Sequence, residues 1–134
     1  MKRFALLLTA VAGPAAALAG GVADGLQAAY RSGGAGPFSA TAGADAWQRQ
    51  VPAGNGEPAR SCVTCHGADP SARGRHARTG KLIEPLAPAA NPTRLVDAET
   101  IEKWFRRNCE WTWGRACTPQ EKGDFLSYLD SYRP

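Results

Sequence analysis

The sequence predicts a small all-α domain of four to five short helices joined by long loops, and three observations carry that expectation. Apolar residues recur at helical spacing behind recognisable caps, and no segment alternates convincingly as a strand. Gly and Pro are plentiful, 15 and 10 in a chain of 134 residues, so loops must take up much of it. The run Cys62-Val63-Thr64-Cys65-His66 reads as a covalent c-type haem attachment motif. A haem gives so small a core a large apolar body to wrap.

Residues 1–19 have the layout of a secretory signal. Lys2 and Arg3 precede a mostly apolar run from Phe4 to Leu18, and Ala17-Leu18-Ala19 supplies the small-x-small pattern before a cut. The run is too short and too interrupted to span a membrane. Cleavage after Ala19 leaves a single domain, 20–134, exported to the periplasm.

From Val22 to Tyr30 the chain can form a helix with Leu26 and Tyr30 on one face, ended by Ser32-Gly33-Gly34-Ala35-Gly36-Pro37. A second helical stretch, about Thr41 to Gln50, carries Trp47. Pro52 to Pro58 is a turn-rich approach to the Cys-rich motif, which opens on a helical turn. Residues 67–96, studded with Pro70, Gly74, Gly80, Pro85, Pro88 and Pro92, read as a long loop that wraps a haem face. Asp97 is placed to cap the next helix, with Glu99 in its first turn and Ile101, Trp104 and Phe105 as one apolar face. Thr118-Pro119-Gln120-Glu121 is a capping box with Pro at the first helical position, followed by the stripe Phe125, Leu126 and Leu129.

The formal charge of +4 falls to about +2 without Lys2 and Arg3, and the basic residues form no single block. Nucleic-acid binding is unsupported.

In the motif, two thiols add across the haem vinyls and His66 reaches the iron from the proximal side. A thioredoxin-like reading lacks its βαβ context, and a zinc reading needs Cys62, Cys65, Cys109 and Cys117 together, leaving His66 accidental. With haem on the first two cysteines, Cys109 and Cys117 are left to each other. A disulfide closing that loop contributes about 2.5 kcal/mol in the chain-entropy model.

The only methionine is Met1, inside the export signal, so the usual His/Met ligation is excluded. The iron takes another sixth ligand or keeps that position for a small molecule. His76, the one other histidine, sits among Arg73, Arg75 and Arg78 and reads first as a solvated loop residue, second as a ligand. Lys81 and Lys103 would have to lose a proton to ligate, which is costly near neutral pH. Tyr and Asn side chains remain. Asn108 follows the stretch Ile101–Arg107, and spacing alone ranks helix capping ahead of ligation for it. Trp104, Trp111 and Trp113 read as haem-packing or core aromatics.

Taken together, Cys62–His66, Arg75–Pro88, Glu102–Trp111, Gly114–Cys117 and Gln120–Asp124 resemble the SHP (sphaeroides haem protein) family across essentially the whole exported part. The resemblance implies a class I-like cytochrome c fold with one haem c on Cys62 and Cys65. It implies His66 as proximal ligand, Asn108 as distal ligand of the oxidised iron, and a Cys109–Cys117 disulfide. That reverses the ranking of roles for Asn108. It further implies a ferrous form that loses Asn108 and binds oxygen, and also nitric oxide. The electron donors it implies are a dihaem cytochrome c and a membrane b-type cytochrome. The competing readings are a plain electron carrier ligated by His66 and His76, and a haem enzyme that oxidises nitric oxide.

Overall fold

The computed structural model describes residues 21–132, so the expected export signal lies outside the described residues. Five helices and one two-residue β-ladder follow in the order α1 (Val22–Ser32), α2 (Ala40–Gln48), α3 (Val63–His66), β1 (Gly74–Arg75), β2 (Leu82–Ile83), α4 (Ala98–Trp113) and α5 (Pro119–Ser131).

Caps set most of the helix starts. Ser39 Oγ accepts the Ala42 N–H at 3.2 Å to open α2, and Asp97 Oδ2 accepts the Thr100 N–H at 2.8 Å to open α4. At α5, Thr118 and Glu121 form the reciprocal capping box that the sequence announces, with Pro119 at the first turn. The helix α4 runs past Asn108 to Trp113 and stops at Gly114, whose φ of 69° suits a residue without a Cβ. Asn108 is therefore a helix-interior residue, and the capping role that spacing favoured is incorrect.

The helix α5 is the element around which the others assemble. Phe125, Tyr128 and Leu129 pack with Ala46 and Trp47 of α2 and with Cys109 and Cys117, while Leu126 joins Tyr30 of α1 and Ile101 of α4. The crossing with α2 is close: a Cβ on Gly43 would lie 2.2 Å from the Asp124 carbonyl oxygen. Asp124 is buried but satisfied, its Oδ1 accepting from the Ser39 N–H at 2.7 Å and from Gln120 Nε2 at 3.1 Å. Three helices are tied by Glu102, which accepts from the Tyr30 hydroxyl and from Lys122 Nζ at 2.5 Å.

Two expectations need correction here. The segment 67–96 is not strand-free: β1 and β2 pair antiparallel, Gly74 with Ile83 and Arg75 with Leu82. Strands of two residues carry no periodicity for a sequence to display. Trp104, expected on the buried face beside Ile101 and Phe105, is 46% exposed and lies under the Arg107 guanidinium. Its helical neighbours at i+4 and i+7 are Asn108 and Trp111, so these three share a face of α4 distinct from the Ile101 face.

The rest of the long loop is held by its own carbonyls. Pro70 O accepts the Leu86 and Ala87 N–H groups, and Pro85 O accepts from Asn91 Nδ2 and Arg94 Nε. No described helix is long and apolar enough to cross a membrane.

Candidate haem site

A bridge between Val51 and Arg60, bonded both ways at 2.8 Å, closes the turn-rich approach and delivers the chain to Ser61. Ser61 is buried; its N–H donates to Thr64 Oγ1 at 3.0 Å, and its hydroxyl accepts from Gln50 Nε2 at 3.3 Å. The turn α3 follows, with the His66 N–H on Cys62 O at 3.0 Å. Gly67 ends it at a φ of 76°. Trp47 locks that exit: its Nε1 donates to Gly67 O at 2.9 Å, and its ring centre lies 5.4 Å from that of His66. From the other side β1 presses on α3, since a Cβ on Gly74 would lie 2.3 Å from Cys65 O and 2.8 Å from His66 Cα.

Cys62 and Cys65 are free thiols, and burial pushes the Cys62 thiol up to about 12. His66 is held neutral, its pKa moved down to about 4, first by burial and then by the charge of Arg94. Its Nδ1 is buried without a hydrogen-bond partner. Two unpaired thiols that would add to the haem vinyls, beside a neutral, uncommitted imidazole that would donate to its iron, suit a covalent haem, so these residues fit the group. The zinc reading fails on geometry. Cys109 and Cys117 are bonded to each other with Cα atoms 5.6 Å apart, and no cluster among the described residues suits a metal ion.

Asn108 stands on α4 directly before Cys109 and is exposed. Asn108 does not line the cavity beside the motif; Trp111, three residues further along α4, does. An open cavity of about 610 Å³ is lined by Thr64, which sits between the two cysteines, and by Trp111, Arg60, Ala77 and Arg78. Arg60 braces Trp111 twice, by stacking 4.5 Å from the ring centre and by donating to its carbonyl at 3.1 Å. Trp113 turns the other way and stacks on Phe125 in the core.

His76 is occupied differently. It sits between β1 and β2, and its Nδ1 accepts the N–H groups of Arg78 and Thr79 at 3.3 and 3.2 Å. A neutral imidazole that accepts at Nδ1 carries its proton on Nε2 and has no lone pair left for a metal.

A family model described as a domain of unknown function (DUF1924) matches residues 33–129. The cytochrome c-type protein SHP of Cereibacter sphaeroides is 44% identical over 130 residues, covering 96% of this chain and 98% of the relative. The chain belongs to the SHP family. It is accordingly a monohaem c-type cytochrome with covalently bound haem, as its motif predicts. A structure of oxidised SHP, described as an oxygen-binding cytochrome c, superposes with a TM-score of 0.74 at 41% identity, covering 82% of this chain and 96% of that one. The oxidised crystal structure of cytochrome c'' from Methylophilus methylotrophus gives 0.75 at 30% identity, covering 84% and 96%. Its solution structure, concerned with haem-ligand detachment, gives 0.70 at 32%, covering 82% and 93%. The helical, haem-wrapping fold expected from sequence is the fold of these relatives.

Sequence reasoning did not find the roles of Trp47 and Gly74. Trp47 was legible only as a helical aromatic and Gly74 only as a loop glycine, because each acts through a tertiary contact. Arg60 carried no signal at all.

Proposed function

We propose that Cys62 and Cys65 carry the haem as thioethers, with His66 and Asn108 as the axial ligands of the oxidised iron. On reduction Asn108 leaves, opening the iron to oxygen or another diatomic gas such as nitric oxide. Bound there, the haem iron supplies a one-electron redox change and a position for a small ligand. His66 offers a neutral nitrogen whose ring is fixed by Trp47. Asn108 offers an amide, a weak and hard donor that suits ferric iron better than the softer ferrous ion. Losing a thioether ligand also lowers the potential relative to His/Met sites. The Cys109–Cys117 disulfide fixes the backbone beside Asn108, and Trp104 and Trp111 flank it one helical turn away on either side. Electrons come, on this reading, from a dihaem cytochrome c and a membrane b-type cytochrome, after export under the 1–19 signal.

The observation that carries the proposal is the division of labour between the two candidate ligands. His76 spends its acceptor nitrogen on the turn between β1 and β2, whereas the Asn108 side chain makes no hydrogen bond to a described residue. The oxygen-binding description of the SHP structure supports the gas-binding part.

Visible spectra test the assignment. Asn108→Ala is expected to shift the ferric protein from low spin to high spin, and His76→Ala to leave it unchanged. The reduced wild-type protein is expected to give a new spectrum with carbon monoxide. The reverse response of the two variants, or a ferrous protein that ignores the gas, sinks the proposal.

A further inference from the structure

The ring of His66 begins a file of aromatic side chains that runs outward. His66 and Trp47 ring centres lie 5.4 Å apart, Trp47 and Tyr128 5.9 Å, and Tyr128 and Tyr132 5.8 Å. Trp47 and Tyr128 are buried and Tyr132 is partly exposed. The Tyr132 hydroxyl donates to the carboxylate of Asp69, an exposed residue. Every member after His66 is a Trp or a Tyr, the two ring side chains most readily oxidised by one electron. Trp47 also touches Phe125, and that branch reaches Trp113 only across a ring that resists oxidation.

The sulfur inventory sharpens the point. Methionine and cysteine are the side chains that ordinarily absorb oxidising equivalents. Here the one methionine is Met1, Cys109 and Cys117 are already joined, and Cys62 and Cys65 are the haem-attachment pair. No described sulfur is left to absorb them.

We propose that Trp47, Tyr128 and Tyr132 form an electron relay from the proximal side of the haem to the protein surface, discharging the oxidising equivalents that hydrogen peroxide leaves at the haem. Peroxide takes two electrons and two protons to become two waters. A haem held by Cys62, Cys65 and His66 would pass those electrons on, the two protons would come from solvent water, and the relay would make up the electrons one at a time. In each step Trp47 gives up one electron toward His66, Tyr128 refills Trp47, and Tyr132 refills Tyr128. The phenolic proton of Tyr132 passes to the Asp69 carboxylate as its electron leaves. A small one-electron reductant such as ascorbate then restores Tyr132 at the surface, and a second passage returns the haem to the ferric state.

The relay rests on His66 being an iron ligand, and the two ideas fail separately. If His66 is not a ligand, His66→Ala leaves the resting ferric spectrum unchanged before any peroxide is added. The relay itself is tested on ferric Asn108→Ala holoprotein, otherwise wild type, in which the proposed distal ligand no longer bars peroxide from the iron. It is mixed with hydrogen peroxide and frozen for electron paramagnetic resonance, with haem bleaching followed in parallel. This protein is expected to show a tyrosyl radical that Tyr132→Phe abolishes or moves inward. In the same background Trp47→Phe is expected to lower the tyrosyl yield several-fold and to bleach the haem several-fold faster, whereas Tyr30→Phe, off the file, changes neither. If Trp47→Phe does not fold, Tyr128→Phe and Tyr132→Phe carry the decision. Radical yield and bleaching unchanged in the relay variants, with resting spectra intact, overturn the proposal.

Discussion

Gly74→Ala is the sharpest test of how the haem-attachment turn is held. The added Cβ would meet Cys65 O at 2.3 Å, His66 Cα at 2.8 Å and Cys65 C at 3.2 Å, all of them backbone atoms. Ordinary van der Waals contact begins near 3.4 Å, so β1 and α3 must part by roughly 1 Å. Neither side yields freely: Gly74 is paired to Ile83, and Trp47 holds the end of α3 through Gly67 O. Overpacking against a fixed neighbour costs about 1–3 kcal/mol, and rigid backbone on both sides points to the upper end, about 3. For a domain of this size that corresponds to a fall in Tm of roughly 10 °C. Gly25→Ala is the matched control. It lies inside α1 with nothing within 4 Å of its Cβ, and it should gain about 0.5–1 kcal/mol. Urea unfolding of the ferric holoprotein, read by far-ultraviolet circular dichroism and by haem absorbance, measures both variants. A Gly74→Ala midpoint within about 0.5 kcal/mol of wild type, with an unchanged haem spectrum, would refute the packing constraint.

Other expectations follow from the same contacts. Glu121 is held down to about 2, chiefly by its hydrogen bonds to Arg115, with burial opposing and the Thr118 N–H and Arg49 assisting. Its folded-state value is below the unfolded one, so its stabilisation is present above about pH 4.5 and lost as pH falls toward 2. Glu121→Gln should flatten stability against pH in that window, by about 1 kcal/mol after solvent screening; an unaltered slope contradicts the assignment. Replacing Cys109 and Cys117 together by Ser should cost about 2.5 kcal/mol in urea unfolding, since the bridge spans a sequence separation of 8. Ser39→Ala removes the α2 cap and should cost about 1 kcal/mol, measured the same way.

The helix starts were legible because caps are local chemistry: Asp97 and the Thr118–Glu121 box sit where the sequence puts them. The end of α4 was misread at Asn108. An Asn inside a helix costs only part of a kcal/mol, which the Cys109 disulfide and the Trp113–Phe125 stack outweigh. Gly114 was the better stop signal, lying where the left-handed cap is needed. Trp104 was misassigned because i, i+3, i+4 spacing describes a broad stripe, and its edge also belongs to the face of Asn108 and Trp111. Within the site, the attachment motif declares itself, but the ring stacked on His66 comes from α2 and the pressure on Cys65 from β1. Neither distance is encoded in local spacing.

Of the described helices, α5 is synthesised last, yet it carries Phe125, Leu126 and Leu129, on which α1, α2 and α4 close. A nascent chain that has reached only Gly114 therefore owns both attachment cysteines and none of the surface that will bury Trp47 behind His66. Core closure therefore waits on the last described helix, and a chain without it leaves both thiols without the buried surface that covers Trp47. A chain stopped before Phe125 should keep its thiols open to alkylation and show no cooperative unfolding, while the full chain shields Cys62.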